Sequence, residues 1–181
     1  MITIDGGTGL VTGGTLKSSG SVIQVQQGGS NADSSSSVAS QATYDTGIQV
    51  SITPSSASNK ILIIATISGT TSNGINNFGM ALQKKTGSGS FADITAANGA
   101  DAGNRREAMT SAYQANTYHI GPQSFHYLDT AGSTDELTYR VIYYNVSAYT
   151  RTIYINRPHS DSDTNANVRT SSWIQVMEIS A

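Results

Sequence analysis

The chain contains no cysteine, few charged residues and no long apolar run. Without cysteine there are neither disulfides nor thiolate metal ligands, so packing and hydrogen bonds must hold the fold. Charged residues make up 12% of the sequence, about half of the usual share, and the net charge is −2. This balance gives no electrostatic footprint for nucleic acid. Because the sequence also has no membrane-spanning run and no signal peptide, we expect a soluble chain that does not use the ordinary secretory route.

Signals for helices are also nearly absent. No window combines apolar residues at i, i+3, i+4 and i+7 with an N-cap residue. Short alternations of apolar and polar residues recur instead, separated by turn signals, and they predict roughly nine or ten short strands. A chain of 181 residues is the size of one domain. We therefore predict an all-β fold, a two-sheet antiparallel sandwich of the jelly-roll type over residues 21–181.

Two strands joined by a turn are predicted for residues 49–69, whose sequence is QVSITPSSASNKILIIATISG. Ile48, Val50 and Ile52 alternate with polar residues, as in a strand with one buried face. A proline and a serine-rich segment then end this strand. Residues 60–67 are apolar on both faces, so we expect a strand in the middle of a sheet with both sides covered.

Four other segments carry structural predictions. Residues 28–40 are rich in serine and glycine, and we expect a loop that is mobile or held by a partner. Residues 105–109 indicate one turn of helix. Turn signals at 130–134 predict a hairpin that leads into the next alternating strand. The near-continuous apolar run at 173–179 predicts a central or interface strand.

Residues 1–20 differ from the rest because glycine pairs separate two short β-like runs, which contain Ile2, Ile4, Leu10 and Val11. Glycine at this density costs backbone entropy and does not build a core. We predict an extended N-terminal arm, either frayed or docked on a neighbouring subunit or a larger assembly. At about 3.3 Å per residue, the arm would reach at most ~65 Å.

No set of residues marks a catalytic, nucleotide or metal site. His119 and His126 come without further zinc ligands, and no GxSxG motif, phosphate-binding glycine loop or pair of catalytic carboxylates is evident. Asp161, Asp163, Asn165 and Asn167 have the oxygen-rich spacing of calcium loops, but the glycine and distant glutamate of an EF-hand are missing, which favours a solvated loop. We therefore predict that the protein is not an enzyme and uses no cofactor.

Tyrosine is the residue type that best fits a binding role, because it combines a large apolar ring with a polar tip. Nine tyrosines occur. Tyr139 and Tyr143 share one face of an alternating strand, and we assign both to the core. Tyr113, Tyr144 and Tyr149 are the candidates for exposed surface or subunit contacts.

Five segments together resemble a known domain: VIQVQQ, SITPSSASNKILIIATISG, YLDTAGSTDELTYRV, TIYINR and SSWIQVMEISA. The domain is common in tail-fibre and other virion structural proteins of tailed bacteriophages, notably phages of cyanobacteria and marine bacteria. The resemblance spans residues 21–181, and its most specific parts are SITPSSASNKILI and VMEISA. It implies a homotrimeric β-sandwich head that is not an enzyme and that usually lies at the C-terminal end of a longer chain.

Two placements follow from this resemblance. As a tail-fibre tip or receptor-binding head, which the resemblance favours, the domain would contact a host surface glycan or protein through loops 70–77, 96–116 and 157–170. As a capsid cement or decoration protein, it would bind the major capsid protein and clamp adjacent subunits with its arm. Only 20 residues precede the domain, too few for a fibre shaft, and this favours the second placement. In both cases we expect a virion component, assembled in the bacterial cytoplasm among other virion proteins, without nucleic-acid binding or membrane insertion.

Overall fold

The computed structural model describes residues 18–72, 77–101, 103–113, 117–165 and 167–181, and the backbone of two short strands at 3–4 and 11–12. Within these residues the chain is almost entirely β-structure, with one short 3-10 helix, Thr95–Ala97. The strands are β1 (Thr3–Ile4), β2 (Val11–Thr12), β3 (Val22–Ser30), β4 (Ser34–Val38), β5 (Thr43–Ile52), β6 (Lys60–Thr71), β7 (Asn77–Thr86), β8 (Ala92–Asp93), β9 (Thr110–Tyr113), β10 (Gly121–Thr130), β11 (Leu137–Asn145), β12 (Arg151–Ile155) and β13 (Ser172–Ile179).

Two antiparallel sheets form the body, which confirms the predicted sandwich. The six-stranded sheet has the order β3-β13-β6-β12-β4. Strand β10 also pairs with β6, along the edge of β6 opposite β13. The five-stranded sheet has the order β5-β11-β7-β8, and β9 also pairs with β7. Strands β5, β6 and β7 alternate between the sheets, as do β10, β11 and β12, which is the connectivity of a jelly roll. Among the described residues, no helix has the length and hydropathy needed to cross a membrane.

The core lies between the two sheets and is filled by alternate residues of their strands. Tyr139 and Tyr143 are fully buried, which confirms their assignment to the core, and the ring centroid of Tyr143 lies 4.9 Å from that of Phe78. The largest aliphatic side chains in the same layer are Ile48, Ile61, Ile63, Ile67, Met80, Leu82 and Leu137.

Several local predictions were wrong. Strand β6 is central, but over residues 60–66 only one of its faces is covered, since Ile64 is 41% exposed. Residues 28–40 contain strand β4, which pairs with β12 instead of forming a loop. Residues 105–109 form no helical turn. The turn at 130–134 does not close a hairpin, because β10 and β11 belong to different sheets.

The segment between β5 and β6 also crosses from one sheet to the other, and the side chain of Glu178 in β13 fixes its conformation. The carboxylate of Glu178 is fully buried. It accepts hydrogen bonds from Ser55 N and Oγ at 2.7 and 2.8 Å, from Asn59 Nδ2 at 2.6 Å and from Gln24 Nε2 at 2.6 Å. Burial alone would raise the pKa of Glu178, but these bonds stabilise the carboxylate and hold the pKa below its ordinary value. The two segments most specific to the phage-domain resemblance thus meet in one hydrogen-bonded cluster.

Candidate functional site

The outward side of the six-stranded sheet carries apolar side chains where a monomer would expose polar ones. Strand register aligns Val25, Met177, Leu62 and Leu128 in one row across four strands. Leu128 is 53% exposed, and Val25 and Ile64 are also exposed. The outer apolar face comprises Val22, Val25, Leu62, Ile64, Leu128, Trp173, Met177 and Ile179.

Trp173 lies at one end of this face, with part of its indole ring over Gly29 of the neighbouring strand. A Cβ atom on the neighbouring Gly29 would lie 2.6 Å from Trp173 Cε3, so the indole occupies the space that a side chain would need. Trp173 nevertheless remains 43% exposed. Gln27, Ile64, Thr66, Trp173 and Gln175 surround a shallow depression of about 300 Å³.

The outer apolar face is nearly free of charge. Lys60 and His126 are the only ionisable residues that point outward from β3, β6, β10 and β13 in the described chain. Lys60 Nζ donates to Thr130 Oγ1 at 2.8 Å, at the edge of the face. Two copies of this surface can therefore approach each other without strong electrostatic repulsion.

The outward side of the five-stranded sheet is different, because Asp93, Arg106 and Ala108 cover part of it at Tyr144. Ala108 packs against a small cluster made of Ala81, Ile142 and Tyr144. Tyr144 is only 2% exposed, so its prediction as an exposed side chain was wrong. Its hydroxyl donates to Asp93 Oδ2 at 2.7 Å, and burial together with this bond raises the pKa of Tyr144 to about 12.

The other predicted contact residues are placed only in part. Tyr149 lies between β11 and β12 and is 68% exposed, which confirms its exposure and leaves its role as a subunit contact a prediction. Tyr113 ends β9, and its side chain lies outside the described part. Ile4 pairs with Val11 in the β1–β2 ladder. Ile2 and Leu10 lie outside the described residues, so the attachment arm stays a prediction.

The loop at 157–170 holds a network of ion pairs. Asp161 contacts both Arg157 and Arg169, and Arg169 Nη1 lies 2.7 Å from Asp33 Oδ1. Two guanidinium groups therefore contact the carboxylate of Asp161, which a calcium ion would need as a ligand. In the described part of the chain, no three His, Cys, Asp or Glu residues lie close enough together to hold a metal ion. This network also ties the start of β4 to the loop.

Sequence reasoning missed the outer apolar face as a surface, although its signal was present. The run WIQVMEI is apolar at both alternate sets of positions, and the structure places Ile174 and Val176 in the core while Trp173 and Met177 point outward. The run was predicted as a central or interface strand, and its central position is confirmed because β13 lies between β3 and β6.

No protein-family model matches the chain, and no curated protein matches it.

Proposed function

We propose that the protein is a non-enzymatic structural subunit of a bacteriophage virion, which assembles with copies of itself through the outer apolar face. The assembly is a homotrimer, as the phage-domain resemblance implies. It serves as a tail-fibre or receptor-binding head, whose loops on the opposite sides of each subunit contact the host surface. The same proposal places the protein in the virion, where it contacts other virion proteins.

The outer apolar face is the observation that carries this proposal. Apolar side chains scattered singly on a surface are ordinary, but a contiguous patch across four strands marks an interaction site. Tryptophan is among the residue types that contribute most to binding at interfaces, and Trp173 presents a 43% exposed indole on this face. The low charge of the face favours an identical copy as the occupant.

The test is the mass of the purified full chain by sedimentation velocity at micromolar concentration. The wild type should sediment as three chains of 18.9 kDa. Leu128→Glu should sediment as a single chain, because assembly would bury three unpaired carboxylates close together. The matched control is Val168→Glu. Val168 is also an exposed aliphatic residue, 61% exposed, but it lies in the loop after β12 and not on the outer apolar face.

Three results would contradict the proposal. A wild type that sediments as a single chain refutes self-association, and a dimer refutes the trimer. If Leu128→Glu and Val168→Glu assemble equally well, the outer apolar face is not the contact. Circular dichroism of each variant shows that the β-fold is retained.

The alternative function is a capsid cement or decoration protein bound on the major capsid protein. The two placements differ in copy number, which quantitative mass spectrometry of purified particles measures. Hundreds of copies per particle place the protein on the capsid, whereas a few tens or fewer place it on the tail.

A further inference from the structure

A cleft lies on the sandwich side opposite the outer apolar face, beside Tyr144 on the outward side of the five-stranded sheet. It has a volume of about 490 Å³ and is lined by Gln41, Asn104, Arg105, Arg106, Tyr144, Asn145 and Val146. Two of these residues are arginines and none is acidic, so we name it the cationic cleft. A positive cleft in a protein whose net charge is −2 is a local departure from the rest of the surface.

Arg106 is held in one orientation while most of its hydrogen-bonding capacity stays free. Its guanidinium carbon lies 3.8 Å from the centroid of the Tyr144 ring, in a cation–π stack. The bond from Tyr144 to Asp93 fixes the ring beneath it. Among the described residues outside this stack, the Arg106 guanidinium has one side-chain hydrogen bond, a long one to Thr43 Oγ1 at 3.4 Å. Of the five N–H donors of a guanidinium, most therefore point to solvent.

Arg105 is exposed and has neither an ion pair nor a hydrogen bond with any described residue. Arg105 and Arg106 also line a smaller adjoining cavity of about 240 Å³, together with Glu107 and Asp93. Neither carboxylate lies within ion-pair distance of a described arginine. Two adjacent guanidinium groups thus face one cleft without a carboxylate partner. Guanidinium forks match carboxylate geometry and bind it by paired hydrogen bonds.

The remaining walls of the cationic cleft are neutral and polar. Asn145 is a fixed part of the wall, since its Nδ2 donates to Val38 O at 3.0 Å, Ala39 O at 2.9 Å and Tyr149 O at 3.0 Å. Gln41 and Asn104 are exposed, and their amides form no hydrogen bond with described residues. Free amides beside a cationic pair suit a ligand that carries hydroxyl groups as well as a carboxylate.

We propose that the cationic cleft binds a hexuronate unit of an acidic surface polysaccharide. Arg105 and Arg106 hold the sugar carboxylate, and the amides of Gln41 and Asn104 bind its hydroxyl groups. Tyr144 is a positioning residue, because it touches Arg106 and not the sugar. This inference rests on the host-contact part of the proposed function and names the chemistry of the receptor.

The experiment is isothermal titration calorimetry of the purified full chain with three uronate oligomers, namely tetragalacturonate, an oligoglucuronate and an oligomannuronate. The fully methyl-esterified tetragalacturonate keeps the hydroxyl groups but loses every carboxylate. Inorganic phosphate at equal ionic strength separates a general anion site from a saccharide site. We expect binding of at least one uronate oligomer, and no binding of the ester or of phosphate in the same range.

Variants locate the binding. Arg105→Gln and Arg106→Gln should each weaken uronate binding about tenfold or more, as expected for loss of a charge-assisted pair. Lys60→Gln removes the same charge from the opposite side of the sandwich and should leave the affinity unchanged. Arg106→Lys keeps the charge but loses the planar fork, so it should bind more weakly than the wild type.

Failure to bind any of the three uronate oligomers overturns the inference, as does equal binding of the ester or of phosphate. Equal loss of affinity in Lys60→Gln would also overturn it, since the effect would then come from net charge. The sedimentation mass of the same samples keeps this result separate from the proposed function. A trimer that binds no uronate refutes the cleft alone, and a monomer that binds uronate refutes the assembly alone.

Discussion

Replacing Glu178 by glutamine should destabilise the fold more than its small change in size suggests. The carboxylate is fully buried and accepts four hydrogen bonds, from Gln24, from Asn59 and from the backbone and hydroxyl of Ser55. A glutamine amide has one oxygen, so its NH₂ group must face donors on one side. With its oxygen in the place of Oε1, glutamine keeps the bonds from Ser55 and Asn59 but turns its NH₂ group towards the donor Gln24 Nε2. Loss of the Gln24 bond, and of the charge that strengthens the other three, should cost about 2–4 kcal/mol of unfolding free energy. For a chain of this length, that lowers the Tm by roughly 5–15 °C.

The stability difference between wild type and Glu178→Gln should depend on pH in a definite direction. The pKa of Glu178 is lower in the folded chain than in the unfolded chain, so its ionised form stabilises the fold. This contribution is complete above the unfolded pKa, about 4.3, and is lost as the pH falls through the folded pKa. The free-energy difference between wild type and Glu178→Gln should therefore be constant between pH 6 and pH 7 and should shrink at pH 3.5.

Urea unfolding at pH 7, 5 and 3.5 measures this difference, and Glu136→Gln is the matched control. Glu136 is exposed just before β11, so its substitution should change stability by less than about 0.5 kcal/mol. Equal stability of Glu178→Gln and Glu136→Gln at pH 7 would refute the argument. So would a difference that does not depend on pH.

Three further predictions follow from the core and from the ionisation of its tyrosines. Tyr143→Phe should leave stability unchanged or raise it by about 1 kcal/mol in thermal unfolding, since the buried Tyr143 hydroxyl has no hydrogen-bond partner among the described residues; a loss above 1 kcal/mol would contradict this. Gly69→Ala should destabilise the folded chain by about 1–3 kcal/mol, because the new Cβ would lie 2.6 Å from Tyr143 Cε2. The comparison variant is Gly87→Ala, in a turn with open space, which tests for strain from a positive φ alone. Burial raises the pKa of Tyr139 and Tyr143, so the contribution of these two tyrosines to stability should be complete below pH 10 and should fall as the pH rises further; unchanged urea midpoints between pH 9 and pH 11.5 would be the contrary result.

The strands could be predicted from the sequence because each depends on a local alternation with a period of two residues. The pairing of the strands could not, since the turns after β5 and β10 are short enough for a hairpin and yet cross between sheets. Strand β4 was missed because SSSSV has no apolar alternation, and its position at the sheet edge comes from β12 and the ion pairs of Asp33.

The candidate surfaces show the same limit. Tyr144 points outward from β11, as its alternation with Tyr143 predicts, but it is buried because Ala108 and Arg106 pack against it. Trp173 could be assigned to a strand but not to a face, since the run WIQVMEI is apolar on both sides. The cationic cleft brings Gln41 to Arg106, residues far apart in sequence, and no local pattern encodes that approach.

Fluorescence of the single tryptophan tests the central claim, self-association through the outer apolar face, most directly. Trp173 is the chain's only tryptophan and lies on that face, 43% exposed in a single subunit. Assembly should shield it, so acrylamide should quench the wild type at micromolar concentration much less than the monomeric Leu128→Glu variant, with Val168→Glu matching the wild type. Equal quenching of all three proteins, at the level of an exposed indole, would contradict the account.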